Sequence, residues 1–188
     1  MIVKLNPGEM AVAHHIAALR RYANQSSGVF DQRRDINQPA IVLDILGAIS
    51  ELAFAKAIGM YPDFSISPRS GGSDCVINGT KIDIKSTLHP HGRLLATITK
   101  KIEDADIYVL AVVQENIVRF AGWAEATELI NRSAVTDLGY GLTYALSQNK
   151  LHPMNMVNDD RVSHAAEVRG QASPAGQESR CAPALSAP

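Results

Sequence analysis

The chain has 188 residues, of which 46% are hydrophobic, and its formal net charge is −1. These values predict one globular domain with its own core. They exclude a globally basic nucleic-acid-binding protein, so any contact with nucleic acid must depend on a local patch. The two cysteines, Cys75 and Cys181, are too far apart for a zinc motif and predict free thiols in a reducing compartment, the cytoplasm. We expect neither a signal peptide nor a membrane span, because no suitable apolar run is present.

The first predicted element is a helix over residues 8–24, where apolar side chains recur at helical spacing. Arg20 and Arg21 would lie in its last turn, where positive charge favours the helix dipole. The polar loop that follows contains Arg33 and Arg34. These two arginines could contact a phosphate backbone, or they could simply be solvated.

A second helix is predicted from about Pro39 to Ile58, with a broad apolar stripe. Gly59 is well placed to end it. Asp44, Gly47 and Glu51 share one face of this helix. Glu51 is a candidate for a functional site, with a solvent-facing glutamate as the alternative, and Asp44 is the weaker candidate.

Two short β-prone runs flank Asn78-Gly79, which predicts a hairpin with a two-residue type I′ turn. The turn fixes a register of four opposed pairs: Ile77 with Thr80, Val76 with Lys81, Cys75 with Ile82, and Asp74 with Asp83. Since side chains alternate along a strand, one face of the hairpin is apolar and the other is charged.

The predicted pair of Asp74 and Asp83 places like charges opposite each other, which destabilises a hairpin. A divalent cation between the carboxylates would turn the repulsion into chelation, and Mg²⁺ is commonly held by one or two carboxylates. Lys85, two residues beyond Asp83, could then reach a phosphate or an attacking water. This combination indicates metal-assisted hydrolysis of a phosphodiester. The alternative is an amphipathic hairpin with a solvated charged face.

The rest of the chain predicts further strands and a tail. A short edge strand is expected near residues 64–66, and Arg69, which follows it, is a candidate contact for nucleic acid. Longer strands are expected at residues 94–99, 106–114 and 117–123, then a short helix at 124–131, and residues 139–153 should pack back on the sheet. Lys100 and Lys101 could form a basic rim. Residues 158–188 contain very few aliphatic side chains and predict a disordered tail after a domain of residues 1–157.

Asp74, the Asp83-Ile84-Lys85 tripeptide and Glu51 together resemble the PD-(D/E)XK nuclease superfamily. This superfamily includes restriction endonucleases, Holliday junction resolvases and phage exonucleases. The order of elements strengthens the resemblance, because a helix with Glu precedes a hairpin with Asp and Asp-x-Lys. Ser73 stands where the name-giving proline would be, and Asp83 fills a slot more often taken by Glu.

The resemblance spans about residues 44–123 and implies a restriction endonuclease-like core. The fold would be α/β, with a mixed, mainly antiparallel central sheet flanked by helices. The implied activity is Mg²⁺-dependent nuclease activity, with Mn²⁺ able to substitute for Mg²⁺. DNA would be the usual substrate, RNA stays open, no membrane is involved, and a homodimer would suit two-strand cutting. The size of the chain and its tail would fit a phage or mobile-element protein.

The resemblance also implies roles for the candidate residues. Asp74, Asp83 and the backbone carbonyl of Ile84 would bind the metal. Lys85 would position or help activate the hydrolytic water. Glu51 would support that water or a further metal ion. The rival hypotheses are a module of the same fold that binds nucleic acid or protein without cutting, and a structural protein.

Overall fold

The computed structural model describes residues 1–29, 39–67, 72–139 and 141–154. Its helices are α1 (Pro7–Ser26), α2 (Ala40–Ala57) and α3 (Ala126–Leu129). Its strands are β1 (Ile2–Lys4), β2 (Cys75–Ile77), β3 (Thr80–Thr87), β4 (Leu94–Thr97), β5 (Ile107–Gln114), β6 (Ile117–Glu125), β7 (Val135–Asp137) and β8 (Leu142–Leu146). The predicted contacts of Arg33, Arg34 and Arg69 and the predicted tail at 158–188 lie outside the described residues.

Helix α1 begins at Asn6, whose side chain accepts a hydrogen bond from the Glu9 backbone while the Glu9 carboxylate accepts one from the Asn6 backbone. This reciprocal cap satisfies amides that a helix start leaves unpaired. The helix continues to Ser26, two residues further than predicted. Arg20 and Arg21 therefore lie outside the last turn, and the predicted role in stabilising the helix dipole is wrong.

The central sheet has five strands in the order β1-β6-β5-β3-β2. Strands β3 and β5 pair in parallel, whereas the other neighbours are antiparallel. The predicted mixed, mainly antiparallel sheet is thus confirmed. Strand β5 is buried along seven of its eight residues, as its continuous apolar sequence predicted.

The hairpin of β2 and β3 turns at Asn78 and Gly79, with φ angles of 49° and 82°. Both positive values fit a type I′ turn. Three predicted pairs form, namely Ile77 with Thr80, Val76 with Lys81, and Cys75 with Ile82. The register of the hairpin is therefore confirmed, and it turns Asp83 and Lys85 to the face opposite Ile82 and Ile84.

The two faces of the central sheet are covered differently. Helices α1 and α2 pack on one face over a core that includes Ile82, Ile84 and Phe54. The other face carries Tyr108 and Leu110 and packs against α3 and a second sheet, ordered β4-β8-β7. Helices thus lie on both faces, as expected. Residues 139–153 pack back on the central sheet as predicted, with Leu146 beside Leu110 and His152 bridging to Trp123, but β8 pairs with β4 and β7 in a second sheet.

The predicted edge strand at residues 64–66 does not form. Side chains, and not a neighbouring strand, form the hydrogen bonds of this stretch of backbone. The Asp63 carboxylate accepts from the Ser65 amide at 2.8 Å, and Arg20 donates to the carbonyls of Asp63 and Ser65 at 2.8 and 3.1 Å. These bonds hold an irregular segment beside α1.

Among the described helices, none combines the length and apolarity needed to cross a bilayer.

Candidate active site

Asp83 is the buried centre of the candidate site. It lies on β3 opposite Tyr108 of β5, and only 2% of its surface is exposed. Its Oδ1 lies 2.5 Å from the Nζ of Lys85, and its Oδ2 lies 3.1 Å from the Nζ of Lys100. A carboxylate this deeply buried requires such cations, because an unpaired charge loses most of its solvation on folding.

Two polar atoms at this centre lack hydrogen bonds within the described part of the chain. They are Oδ2 of Asp83 and the hydroxyl of Tyr108. The contact between Lys100 and Asp83 Oδ2 is therefore an ion pair by proximity, without the alignment of a hydrogen bond. Buried atoms of this kind commonly mark the place of an ordered water or ion.

Asp74 approaches Asp83 in a different way from the predicted opposed pair. The Asp74 backbone amide donates to the Ile82 carbonyl at 2.8 Å, and the Ile84 amide donates to Asp74 Oδ2 at 2.6 Å. The fourth predicted pair, Asp74 with Asp83, is absent from the ladder of β2 and β3. The reason is that the Asp74 carboxylate turns along the sheet edge and takes the place of a strand carbonyl.

This arrangement also orients the Ile84 carbonyl. In an extended strand, the N–H and C=O of one residue point to the same side. Because the Ile84 amide meets Asp74, its carbonyl faces the same edge of β3. An oxygen of the main chain thus lies on the side of the sheet where Asp74 is placed.

Glu51 reaches the site from α2 and is held by α1. Arg20 Nη1 donates to Glu51 Oε2 at 2.6 Å, while the rest of the same guanidinium binds the carbonyls of residues 63 and 65. One turn of α2 earlier, Gly47 lies beside the Glu51 carboxylate, whose Oε1 would be 3.9 Å from an added Cβ. Asp44 is paired with Arg21 at 3.0 Å. Asp44 therefore belongs to the contact between the helices.

The ionised forms of Glu51 and Asp74 are disfavoured by burial and by neighbouring carboxylates. Burial raises the pKa of Asp74 to about 7, with the charges of Glu51 and Asp83 adding to the rise. Burial also raises the pKa of Glu51, against the Arg20 charge and with a contribution from Asp83. The neighbouring Cys75 thiol has a pKa of about 11 because of burial and then the charges of Asp74 and Glu51. Burial and neighbouring acids therefore disfavour ionisation at this corner of the molecule.

These residues fit a divalent cation in their chemistry. Hard cations such as Mg²⁺ prefer carboxylate and carbonyl oxygens and usually keep several waters. Asp74, Asp83 and the Ile84 carbonyl supply such oxygens, and Asp83 Oδ2 accepts no hydrogen bond from the described residues. Within residues 1–29, 39–67, 72–139 and 141–154, no three His, Cys, Asp or Glu side chains converge into one ligand set. The fit is thus to two carboxylates, a carbonyl and water.

Sequence reasoning missed three residues of this site: Arg20, the contact made by Lys100, and Tyr108. Arg20 was interpreted through its own helix, and Lys100 as part of a surface rim. Tyr108 sat within an apolar run that predicted only a buried strand. One signal was available in the sequence. Arg20 and Arg21 on the first helix are opposite in charge to Glu51 and Asp44 on the second.

The predicted basic surface is only partly described. Lys101 is exposed, and its contact with nucleic acid stays a prediction. The Lys100 side chain is 16% exposed and turns toward Asp83. The structure thus places Lys100 within the candidate site, beside Asp83.

Comparisons with protein-family models, with curated proteins and with solved structures found no match. The mixed α/β architecture stands on the strand pairing described above. Membership of the PD-(D/E)XK superfamily stays a prediction. Function must therefore be inferred from the chemistry of the site.

Proposed function

We propose that this protein is a Mg²⁺-dependent nuclease with a restriction endonuclease-like core of the PD-(D/E)XK type. DNA is the substrate that the resemblance favours, and Mn²⁺ would substitute for Mg²⁺. The observation that carries the proposal is the position of Asp83, a buried carboxylate beside Lys85 and within the field of Asp74 and Glu51. Bringing two acids and a lysine together in this way costs folding stability, but it provides the groups that hydrolysis of a phosphodiester requires.

The energetics of Asp74 support the same proposal. A surface decoration would leave this carboxylate in water, with an ordinary pKa. Instead its pKa is raised to about 7 by burial and by two neighbouring acids. Strongly perturbed acids in one place are typical of functional sites, because the perturbation reflects a charge that a ligand neutralises.

In the proposed mechanism, Asp74, Asp83 and the Ile84 carbonyl would hold the metal. When bound, the cation would polarise the scissile phosphate and lower the pKa of a coordinated water. Lys85 orients the attacking water with its ammonium group and stabilises negative charge on the phosphate. Glu51, fixed by Arg20, accepts a hydrogen bond from that water. The water oxygen bonds to phosphorus as the water releases a proton to solvent, the P–O bond to the leaving group breaks, and the leaving oxygen takes up a proton from solvent.

A non-catalytic binding module on the same fold is the second candidate. The pairing of Glu51 with Arg20, and of Asp83 with Lys85 and Lys100, is the observation in its favour, because ion pairs can neutralise the carboxylates without a metal. The raised pKa of Asp74 favours the nuclease, since none of those three ion pairs includes this acid.

Cleavage assays test the proposed function. The substrates are plasmid, linear duplex, single strand, branched junction and RNA, each with Mg²⁺, with Mn²⁺ and with chelator. Wild type is compared with Asp83→Asn and Lys85→Met. We expect metal-dependent cutting that both variants lose by at least about a hundredfold, the usual range for removing a group that acts in the transition state.

Lys81→Met is the matched control. Lys81 lies on the same strand and the same face as Lys85, but its Nζ is directed to the Glu103 carbonyl at 3.4 Å. Its loss should leave cutting unchanged. Binding of nucleic acid without cleavage, unaffected by the Asp83 and Lys85 variants, would instead establish the binding module.

A further inference from the structure

Lys100 holds a position that the proposed metal site does not require. It follows β4, on the side of the second sheet, and its ammonium lies 3.1 Å from Asp83 Oδ2. Lys85 already neutralises the other oxygen, Oδ1. A single buried carboxylate is thus contacted by two cations.

The formal charges around Asp83 are equal in number without any bound ion. When ionised, Glu51, Asp74 and Asp83 contribute three negative charges, and Arg20, Lys85 and Lys100 contribute three positive charges. A divalent cation entering such a site meets little net attraction. Removing one cation from the set would leave a net negative charge for it to neutralise.

We propose that Lys100 is an internal counter-ion that competes with the divalent cation for Asp83 Oδ2 and so lowers the metal affinity of the site. The inference depends on the proposed function for the assignment of Asp83 as a metal ligand. Lys100 is a positioning residue here, because it acts on the metal through Asp83.

Three observations assign this role to Lys100 and not to Lys85. The contact with Oδ2 lacks hydrogen-bond alignment, so it opposes displacement less than the 2.5 Å contact of Lys85 does. The Lys100 side chain is 16% exposed against 32% for Lys85, so its charge is screened less by water. The Tyr108 hydroxyl on the same face has no hydrogen-bond partner among the described residues, so it offers a polar contact to an occupant beside Asp83.

Calorimetric titration of the full chain with Mn²⁺, in the absence of nucleic acid, tests the proposal. The proteins are wild type, Lys100→Met, Lys100→Arg, Asp83→Asn and Lys101→Met. We expect Lys100→Met to bind Mn²⁺ at least about tenfold more tightly, because like charges a few ångströms apart repel strongly at a partly buried site. Lys100→Arg keeps the charge and should keep the wild-type affinity.

Lys101→Met is the control for a general change in surface charge, since Lys101 is the exposed neighbour of Lys100. Its affinity should equal that of wild type. Lys100→Gln serves as a second neutral variant if Lys100→Met does not fold, and the thermal transition of each protein identifies that case. The Lys100→Arg comparison separates loss of charge from loss of packing.

Failure of this inference differs from failure of the proposed function. Asp83-dependent Mn²⁺ binding of equal strength in wild type and Lys100→Met would overturn the role of Lys100 alone. An equal gain in Lys101→Met would overturn it as well, because the effect would then be one of surface charge. Absence of Asp83-dependent binding in every protein would overturn the metal site and this inference together.

Discussion

Asp74 carries a carboxylate whose ionised form opposes folding. Its pKa in the unfolded chain is about 3.9, whereas burial, with the charges of Glu51 and Asp83, raises it to about 7 in the folded protein. The folded state therefore binds this proton more tightly. The contribution of Asp74 to stability falls as the pH rises from about 4 to about 7, and it stays low above that range.

Replacing Asp74 by Asn should stabilise the fold while it removes the proposed metal ligand. At pH 8 with chelator, we expect Asp74→Asn to raise the free energy of unfolding by about 1–2 kcal/mol. The full effect would be about 1.4 kcal/mol for each unit by which the pKa rises. We expect less than that total, because Asp74 is partly exposed and solvent screens its charge. The amide oxygen can still accept the Ile84 hydrogen bond. Urea unfolding at several pH values measures the effect.

The difference between wild type and Asp74→Asn should shrink as the pH is lowered toward 4, since the wild-type carboxyl is then protonated in the folded state. Addition of Mg²⁺ at pH 8 should stabilise wild type and leave Asp74→Asn unchanged. A destabilised Asp74→Asn at pH 8 would show that the carboxylate serves the fold, and it would contradict the functional interpretation of its pKa.

Among the elements, the hairpin of β2 and β3 sets the geometry of the site. Its turn requires positive φ angles at two consecutive residues, which Asn78 and Gly79 adopt. The resulting register places Asp83 on one face of β3 and brings Asp74 to the Ile84 amide at the edge. A change in the turn should therefore shift both proposed metal ligands, Asp74 and Asp83.

Gly79→Ala should weaken the hairpin and, with it, the proposed activity. A side chain at a φ of 82° costs about 1–2 kcal/mol. We expect this loss in the free energy of unfolding, together with weaker metal binding. The control is Asn78→Asp, because Asp-Gly suits the same turn. Equal metal affinity in Gly79→Ala and wild type would show that the turn does not position the ligands.

The elements that the sequence could predict are those with a local signal. The hairpin turn, the two long helices and the buried strand β5 each follow from residues close together in the chain. The edge strand near residue 65 failed because Arg20, 45 residues away, bonds its backbone. Local patterns do not encode a competition with a distant side chain.

Across the whole molecule, the candidate site lies where four separate parts of the chain meet. Helices α1 and α2 bring Arg20 and Glu51, the hairpin brings Asp74 and Asp83, and the segment after β4 brings Lys100. The second sheet packs on the face of the central sheet that carries Asp83, beside Tyr108. The strand at residues 94–99 and the return of residues 139–153 were predicted from sequence, but their pairing as a second sheet was not.

Asp74, Asp83, Lys85 and Glu51 could be proposed from sequence because a hairpin register and one helix face place them. The partners of these acids could not, since Arg20 and Lys100 reach them only through tertiary packing. The predicted opposition of Asp74 and Asp83 was wrong for a related reason. A carboxylate at a strand end competes with the backbone for amide hydrogens, and Asp74 takes the one at Ile84.

The most direct test of a metal site between Asp74 and Asp83 is a crystal structure of the protein with Mn²⁺, using the anomalous signal of the metal. The proposed function predicts a peak within about 2–2.5 Å of carboxylate oxygens from both residues, the range of hard divalent cations. The peak should vanish in Asp83→Asn. A peak confined to other residues, or its persistence in Asp83→Asn, would contradict the proposed site.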